Sequence, residues 1–215
     1  MFEDSRSLKT IAVTMTLGVL MFGESCATGV SRLKAPPNGQ MPIIVENLTG
    51  GRIRLERAGH KLVLNLARQI SGCTGRTYDL TVNEEYEAGV GFEIIDETER
   101  VPYIYLLLLA TAPPNCNVEG ECGAGGLDST LIWLKVTKDL SLAGKQAFAI
   151  DDCRAGRIAN VVETGGGDYF SWIQAKDLPW VGDVLTIEYQ EEGMDSIHRL
   201  IYDRQDPGAG LQRNP

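Results

Sequence analysis

The chain has 215 residues, 43% of them hydrophobic and 23% charged, with a formal net charge of −9. That length suits one domain with a substantial core. The acidic balance excludes a protein built to grip phosphate backbones and disfavours docking on anionic lipid, because both surfaces repel it.

Residues 1–27 carry the layout of an export signal. Arg6 and Lys9 precede a thirteen-residue apolar run at 11–23 (IAVTMTLGVLMFG), and Ser25, Cys26 and Ala27 follow it. A membrane-spanning helix needs about 20 residues, whereas secretory apolar regions run to about 7–15. The segment therefore reads as a signal peptide, with cleavage after Ala27 and Ser25 as the small residue two positions earlier. A second route makes Cys26 the lipid-bearing cysteine of a lipoprotein, although Glu24 sits badly in the usual Leu-(Ala/Ser)-(Gly/Ala)-Cys box. Without residues 1–27, which hold three acids and two bases, the net charge is −8. Residues 28–42 are polar and carry three prolines, which predicts a flexible leader.

From residue 43 the pattern is period-two alternation or short apolar runs broken by turn residues. Twelve strands are predicted, at 43–48, 52–57, 61–66, 76–82, 90–96, 103–111, 130–136, 146–151, 158–162, 169–174, 184–190 and 197–202. The run at 103–110 (YIYLLLLA) reads as a buried strand, and Trp133, between Ile132 and Leu134, as core. The one helix candidate is 58–70, where Leu62, Leu66 and Ile70 recur every four residues. Gly59 and the alternation of Leu62, Leu64 and Leu66 weigh against it. Charged groups such as 96–100 and Glu191–Glu192 read as solvated surface. Residues 204–215 (RQDPGAGLQRNP) have no apolar face and read as a loose tail. The expected architecture is an all-β antiparallel sandwich, or a partly open barrel, spanning 43–203.

Five cysteines are present, and Cys26 lies in the processing zone. The other four, Cys73, Cys116, Cys122 and Cys153, make an even set in an exported chain, which predicts two disulfides. The expected pairs are a local Cys116–Cys122 staple and a long-range Cys73–Cys153 bridge. Zinc is the competing reading, but five residues separate Cys116 from Cys122, and neither His60 nor His198 has a ligand three or four residues on. A nucleophilic cysteine is opposed by Glu119 and Glu121 beside the Cys116–Cys122 loop.

Catalytic motifs are missing: the chain has no G-x-S-x-G elbow, H-E-x-x-H pair, P-loop or EF-hand loop. Asp128, Asp151 and Asp152 offer two or three oxygen ligands where calcium takes about six to eight. Glu163, Asp168, Asp183 and Glu188 are eligible for paired-carboxylate hydrolysis of glycans or peptides only because acids are common here. A Ser–His–acid triad would have to use His60 or His198, and His198 reads as a strand-surface residue. Tyr169, Phe170, Trp172 and Trp180 crowd into twelve residues, so Tyr169, Trp172 and Trp180 are candidate sugar-stacking rings.

The expectation is an exported, non-catalytic binding or structural domain, periplasmic, extracellular or lipid-anchored through Cys26. A protein or glycan partner and no cofactor complete it. The alternatives are a carbohydrate-binding module and a hydrolase.

Overall fold

The computed structural model describes residues 30–32, 41–79, 84–87, 89–114, 127–159 and 173–214. It is all-β. Among the described residues, helix is confined to two single 3-10 turns, Ala175–Asp177 and Pro207–Ala209.

Strands β1 (Val30–Arg32), β2 (Ile44–Leu48), β3 (Arg52–Arg57) and β4 (His60–Asn65) form a first antiparallel sheet in chain order. Strands β5 (Arg76–Asp79) and β6 (Glu84–Glu87) pair as a separate hairpin. Strands β7 (Gly91–Arg100), β8 (Tyr103–Ala112), β9 (Asp128–Thr137) and β10 (Leu142–Asp151) form a second antiparallel sheet, again as a meander. The third sheet holds β11 (Arg157–Ala159), β12 (Trp180–Val181), β13 (Val184–Glu191), β14 (Ile197–Asp203) and β15 (Gln212–Asn214). Its order is β11-β13-β14-β15, with β12 also on β13.

The second sheet is central because it buries both faces. Even-numbered β8 residues, Ile104, Leu106 and Leu108, join Val45, Ile53 and Leu55 of the first sheet in one core. Odd-numbered Tyr105, Leu107 and Leu109 join Leu185, Ile187 and Leu200 of the third sheet in another. A strand buried on both sides has no polar face to show, hence the unbroken apolar run. Each such leucine removed from water contributes about 1.5–3 kcal/mol. Outer strands keep the alternation: in β3, Ile53 and Leu55 are fully buried between exposed Arg52 and half-buried Arg54 and Glu56.

The strand predicted at 61–66 is present as β4: Ala58 (φ 50°) and Gly59 (φ 83°) take the left-handed turn that folds β3 onto it, and the helix candidate at 58–70 is not formed. Two expectations are corrected. Part of the expected leader, Val30–Arg32, is strand, paired with β2 from Val30 opposite Glu46 to Arg32 opposite Ile44. The expected loose tail is docked. Pro207 is buried and its carbonyl accepts the Trp133 indole N–H at 2.9 Å. The Leu211 N–H reaches Gln146 Oε1 at 2.7 Å, and β15 pairs with β14. Backbone hydrogen bonds, buried Pro207 and Leu211 on the second core make this docking without a continuous apolar face.

The charges at 96–100 are also not simply solvated surface. A bulge at Ile95 shifts the β7 register between Ile94 and Asp96. Asp96 thereby turns to the third sheet, where Arg204 Nε (2.7 Å) and the Tyr202 hydroxyl (2.9 Å) donate to it, joined by the Thr98 hydroxyl of its own strand (2.9 Å). Glu97 and Glu99 turn to the first sheet. Glu97 accepts the Ile43 N–H at 3.0 Å, and Glu99 meets Arg57 at 2.9 Å and Lys138 at 3.0 Å. One strand thus carries acids that tie all three layers.

Candidate functional site

Two places in the fold depart from plain packing. The first is the end of the central sheet where β8 stops and β9 begins. Ala112 pairs with Asp128 there, and the 71–73 loop closes over them. The Cys73 N–H donates to the Pro113 carbonyl and the Ser71 N–H to Thr130 Oγ1 at 3.0 Å. Asp128, 3% exposed, is the organiser: its Oδ2 accepts the Ser71 hydroxyl at 2.9 Å and its Oδ1 the Cys153 N–H at 3.0 Å. Burial raises the Asp128 pKa, and those two donors offset part of the rise.

Ser129, next along β9, points to the other face, opposite Asp151 of β10. Ser129 is fully buried, and its hydroxyl has no hydrogen-bond partner among the described residues. Burial pushes the Asp151 carboxyl up to about 6, with the charges of Asp128 and Asp152 adding to it. Among the described residues, no three His, Cys, Asp or Glu side chains are arranged to hold a metal ion, so Asp128, Asp151 and Asp152 do not assemble a cation site there.

The second place is the outer face of the third sheet. Register puts Ile158 of β11 opposite Gln190 of β13, and Gln190 opposite Ile197 of β14. Ile158 is 65% exposed, Ile197 52%, and Met194, in the β13–β14 turn, 50%. The Gln190 side chain donates to the Met194 carbonyl at 2.8 Å, which fixes the turn beside the row. Around it stand the Arg199–Glu188 ion pair (2.9 Å) and exposed Glu192 and Asp195. A contiguous exposed apolar patch with a polar rim is one mark of an interaction site.

The sequence candidates are distributed as follows. Cys73 and Cys153 lie at the Asp128 corner. Cys26, Cys116, Cys122, Glu163, Asp168, Tyr169 and Trp172 fall outside the described residues. Trp180 is half-buried on the second core, edge-on to Tyr202 at 6.2 Å, with the Arg204 guanidinium 3.7 Å from its ring centre. Asp183 accepts the Gln205 amide at 3.1 Å, while Glu188 is held by Arg199 on the outer face. The two are not drawn together by any shared contact. His60 is exposed at the β3–β4 turn; His198 stacks on Tyr189 at 5.4 Å and meets the Ser196 hydroxyl at 3.1 Å.

The Ile158–Gln190–Ile197 row and the Ser129–Asp151 pairing were not foreseen. The row has a faint sequence signal, since Ile158 and Ile197 fall at the polar phase of their strands. The pairing has none, because it depends on a register shift between Ala149 and Asp151. No protein-family model, curated protein or solved structure matches the chain.

Proposed function

We propose that this chain is an exported, disulfide-bonded β-sandwich domain that acts by binding a partner polypeptide rather than by catalysis. The observation that carries the reading is the exposed Ile158–Gln190–Ile197 row with Met194 beside it. Its make-up favours a protein over a glycan: sugars stack on aromatic rings, and this row is aliphatic. The exposed carboxylates of Glu192 and Asp195 at its rim favour a partner that brings basic groups to the edge of an apolar contact.

Export rests on the apolar run at 11–23 with its small residues at 25–27. Two disulfides among Cys73, Cys116, Cys122 and Cys153 belong to the same reading, supported by the even count of cysteines in the exported part.

The test places a photo-crosslinking residue at Ile197 in the full chain, expressed in its own host, with exposed Val63 on β4 as the control position. One discrete adduct at position 197, absent at 63 and abolished by Ile158→Asp, is expected. Equal adducts at both positions, or none at either, would remove the binding face. Separately, mass spectrometry of the mature protein is expected to find an N-terminus at Thr28 or an acylated Cys26. Unreduced, denatured protein should take up no thiol label at the four downstream cysteines. An intact Met1 with labelled thiols would overturn the export reading.

A further inference from the structure

The outer faces of the two flanking sheets are built differently. On the first sheet, register sets Glu46 opposite Arg54 and Glu56 opposite Lys61, and both close as ion pairs, at 2.6 and 3.3 Å. Cross-strand charge pairs of this kind suit a face that meets solvent. The third sheet departs from that pattern. Of the eight large hydrophobic residues exposed among the described residues, Ile158, Val181, Met194 and Ile197 belong to this one sheet and its β13–β14 turn.

Register arranges them in two strips. One is the Ile158–Gln190–Ile197 row, with Met194 beyond it. The other lies toward the opposite end of the strands, where Val181 of β12 stands opposite Val184, and Thr186 opposite Ile201. Val181 is 81% exposed, and Val184, Thr186 and Ile201 are half-buried. These positions alternate with Leu185, Ile187, Leu200 and Tyr202 of the second core, so both strips lie on the outer face. Between the strips Glu188 faces Arg199, and the two close on each other at 2.9 Å. Six residues separate the Val184 row from the Gln190 row, a distance of about 20 Å along the strands.

We propose that both strips are covered by one amphipathic helix of a partner polypeptide, lying along the strands with basic residues at its edges. The inference rests on the binding reading above and names the form of the partner.

A sheet face presents no backbone groups, because the strands use theirs on one another. An extended peptide laid across it would leave its own N–H and C=O groups unpaired. A helix satisfies its backbone internally, and covering a sheet face is its ordinary place in layered folds. At a rise of about 1.5 Å per residue, about 14 residues span the two strips. The Glu188–Arg199 rung lies between them as a neutral spacer, since its two charges already meet. Acids stand at both ends of the face: Asp203 opposite Val184, and Glu192 and Asp195 in the turn beside Met194. They match lysine or arginine on the helix. A second copy of this chain is the poorer occupant, because it would bring a further net charge of −9.

The test places a photo-crosslinking residue at Val181 or at Ile197 of the full chain, in its own host, and maps the attachment points on the partner. Both positions should capture the same segment, at points roughly 12–15 residues apart, as a helix over that distance requires. An extended chain would place them about six residues apart. The mapped segment, synthesised and added to the purified domain, should gain helical circular dichroism. Val181→Asp and Ile197→Asp should each weaken its binding by at least about tenfold, while Val63→Asp on the first sheet leaves it unchanged. All three side chains are exposed, so unchanged melting curves are expected. An adduct at 197 with none at 181, attachment points about six residues apart, or a bound segment without helix would overturn the proposal and leave the binding reading standing. Adducts at neither position, or at 181 alone, would remove the binding reading with it. A crosslink between two copies of the domain, or from either position to another part of the same chain, would also overturn the helix.

Discussion

Arg204 Nε stands 2.7 Å from Asp96 Oδ1, across the boundary between the third sheet and the central one. The Asp96 side chain is 9% exposed and also accepts the Tyr202 hydroxyl. Burial, and then the Asp96 charge, pushes the Tyr202 pKa upward, so that hydroxyl stays a donor at any ordinary pH. Asp96→Ala should cost about 3 kcal/mol in urea unfolding, because it strands a guanidinium and a phenol in a mostly buried setting. Tyr202→Phe should cost only about 1 kcal/mol, since Arg204 and Thr98 still satisfy the carboxylate. Equal effects for the two variants would show that Asp96 is not the hub of this contact.

Removing residues 207–215 takes away the acceptor of the Trp133 indole N–H, lifts Leu211 off the second core and bares the β14 edge. A buried donor left unpaired costs about 1–3 kcal/mol on its own. The truncated chain should lose about 3 kcal/mol, equivalent to a fall of roughly 6–12 °C in Tm for a domain of this size. An unchanged melting curve would mean that the segment contributes nothing to the fold.

The legible parts of the fold are those that side-chain pattern encodes. Residues 103–112 announce a doubly buried strand because every position is apolar or small, and Trp133 announces core because its neighbours do. Asp96 reads as surface because it opens the charged run at 96–100. The bulge at Ile95 that turns Asp96 inward is a backbone event, invisible to that reading. The 207–214 segment is held by a carbonyl, an amide, a strand ladder and the single apolar contact of Leu211, which leaves no periodic pattern to read. Ser129 and Asp151 are ordinary residues until their register brings them face to face.

Glu99 contributes to the acid limb of stability. Lys138 and Arg57 hold its carboxyl below the ordinary range, and burial opposes them. A lowered folded value means the contribution is present above the unfolded pKa and is lost as pH falls through the folded one. Glu99→Gln should cost about 1–2 kcal/mol at pH 7, discounted for the exposed Lys138, and the gap from the unsubstituted chain should close as pH drops below about 4. Urea midpoints between pH 3 and 7 read this directly. A gap that stays constant with pH would exclude the ion pairs as its source.

Gly72 and Gly59 share one backbone conformation and differ in surroundings. Their φ values are 89° and 83°, in the left-handed region that disfavours any side chain by about 1–2 kcal/mol. A Cβ on Gly59 would have no heavy atom within 4 Å. One on Gly72 would run into the Pro113 carbonyl oxygen, the group that accepts the Cys73 N–H, and would sit 3.2 Å from Ala112 Cβ. Gly59→Ala should therefore cost only the backbone strain, about 1 kcal/mol. Gly72→Ala should cost at least about 1 kcal/mol more, because either the loop or the end of β8 must move. The difference between the two variants isolates the contact from the strain. If both lose the same stability, the 71–73 loop does not close against Pro113 in solution, and the organisation of the Asp128 corner around it fails with that contact.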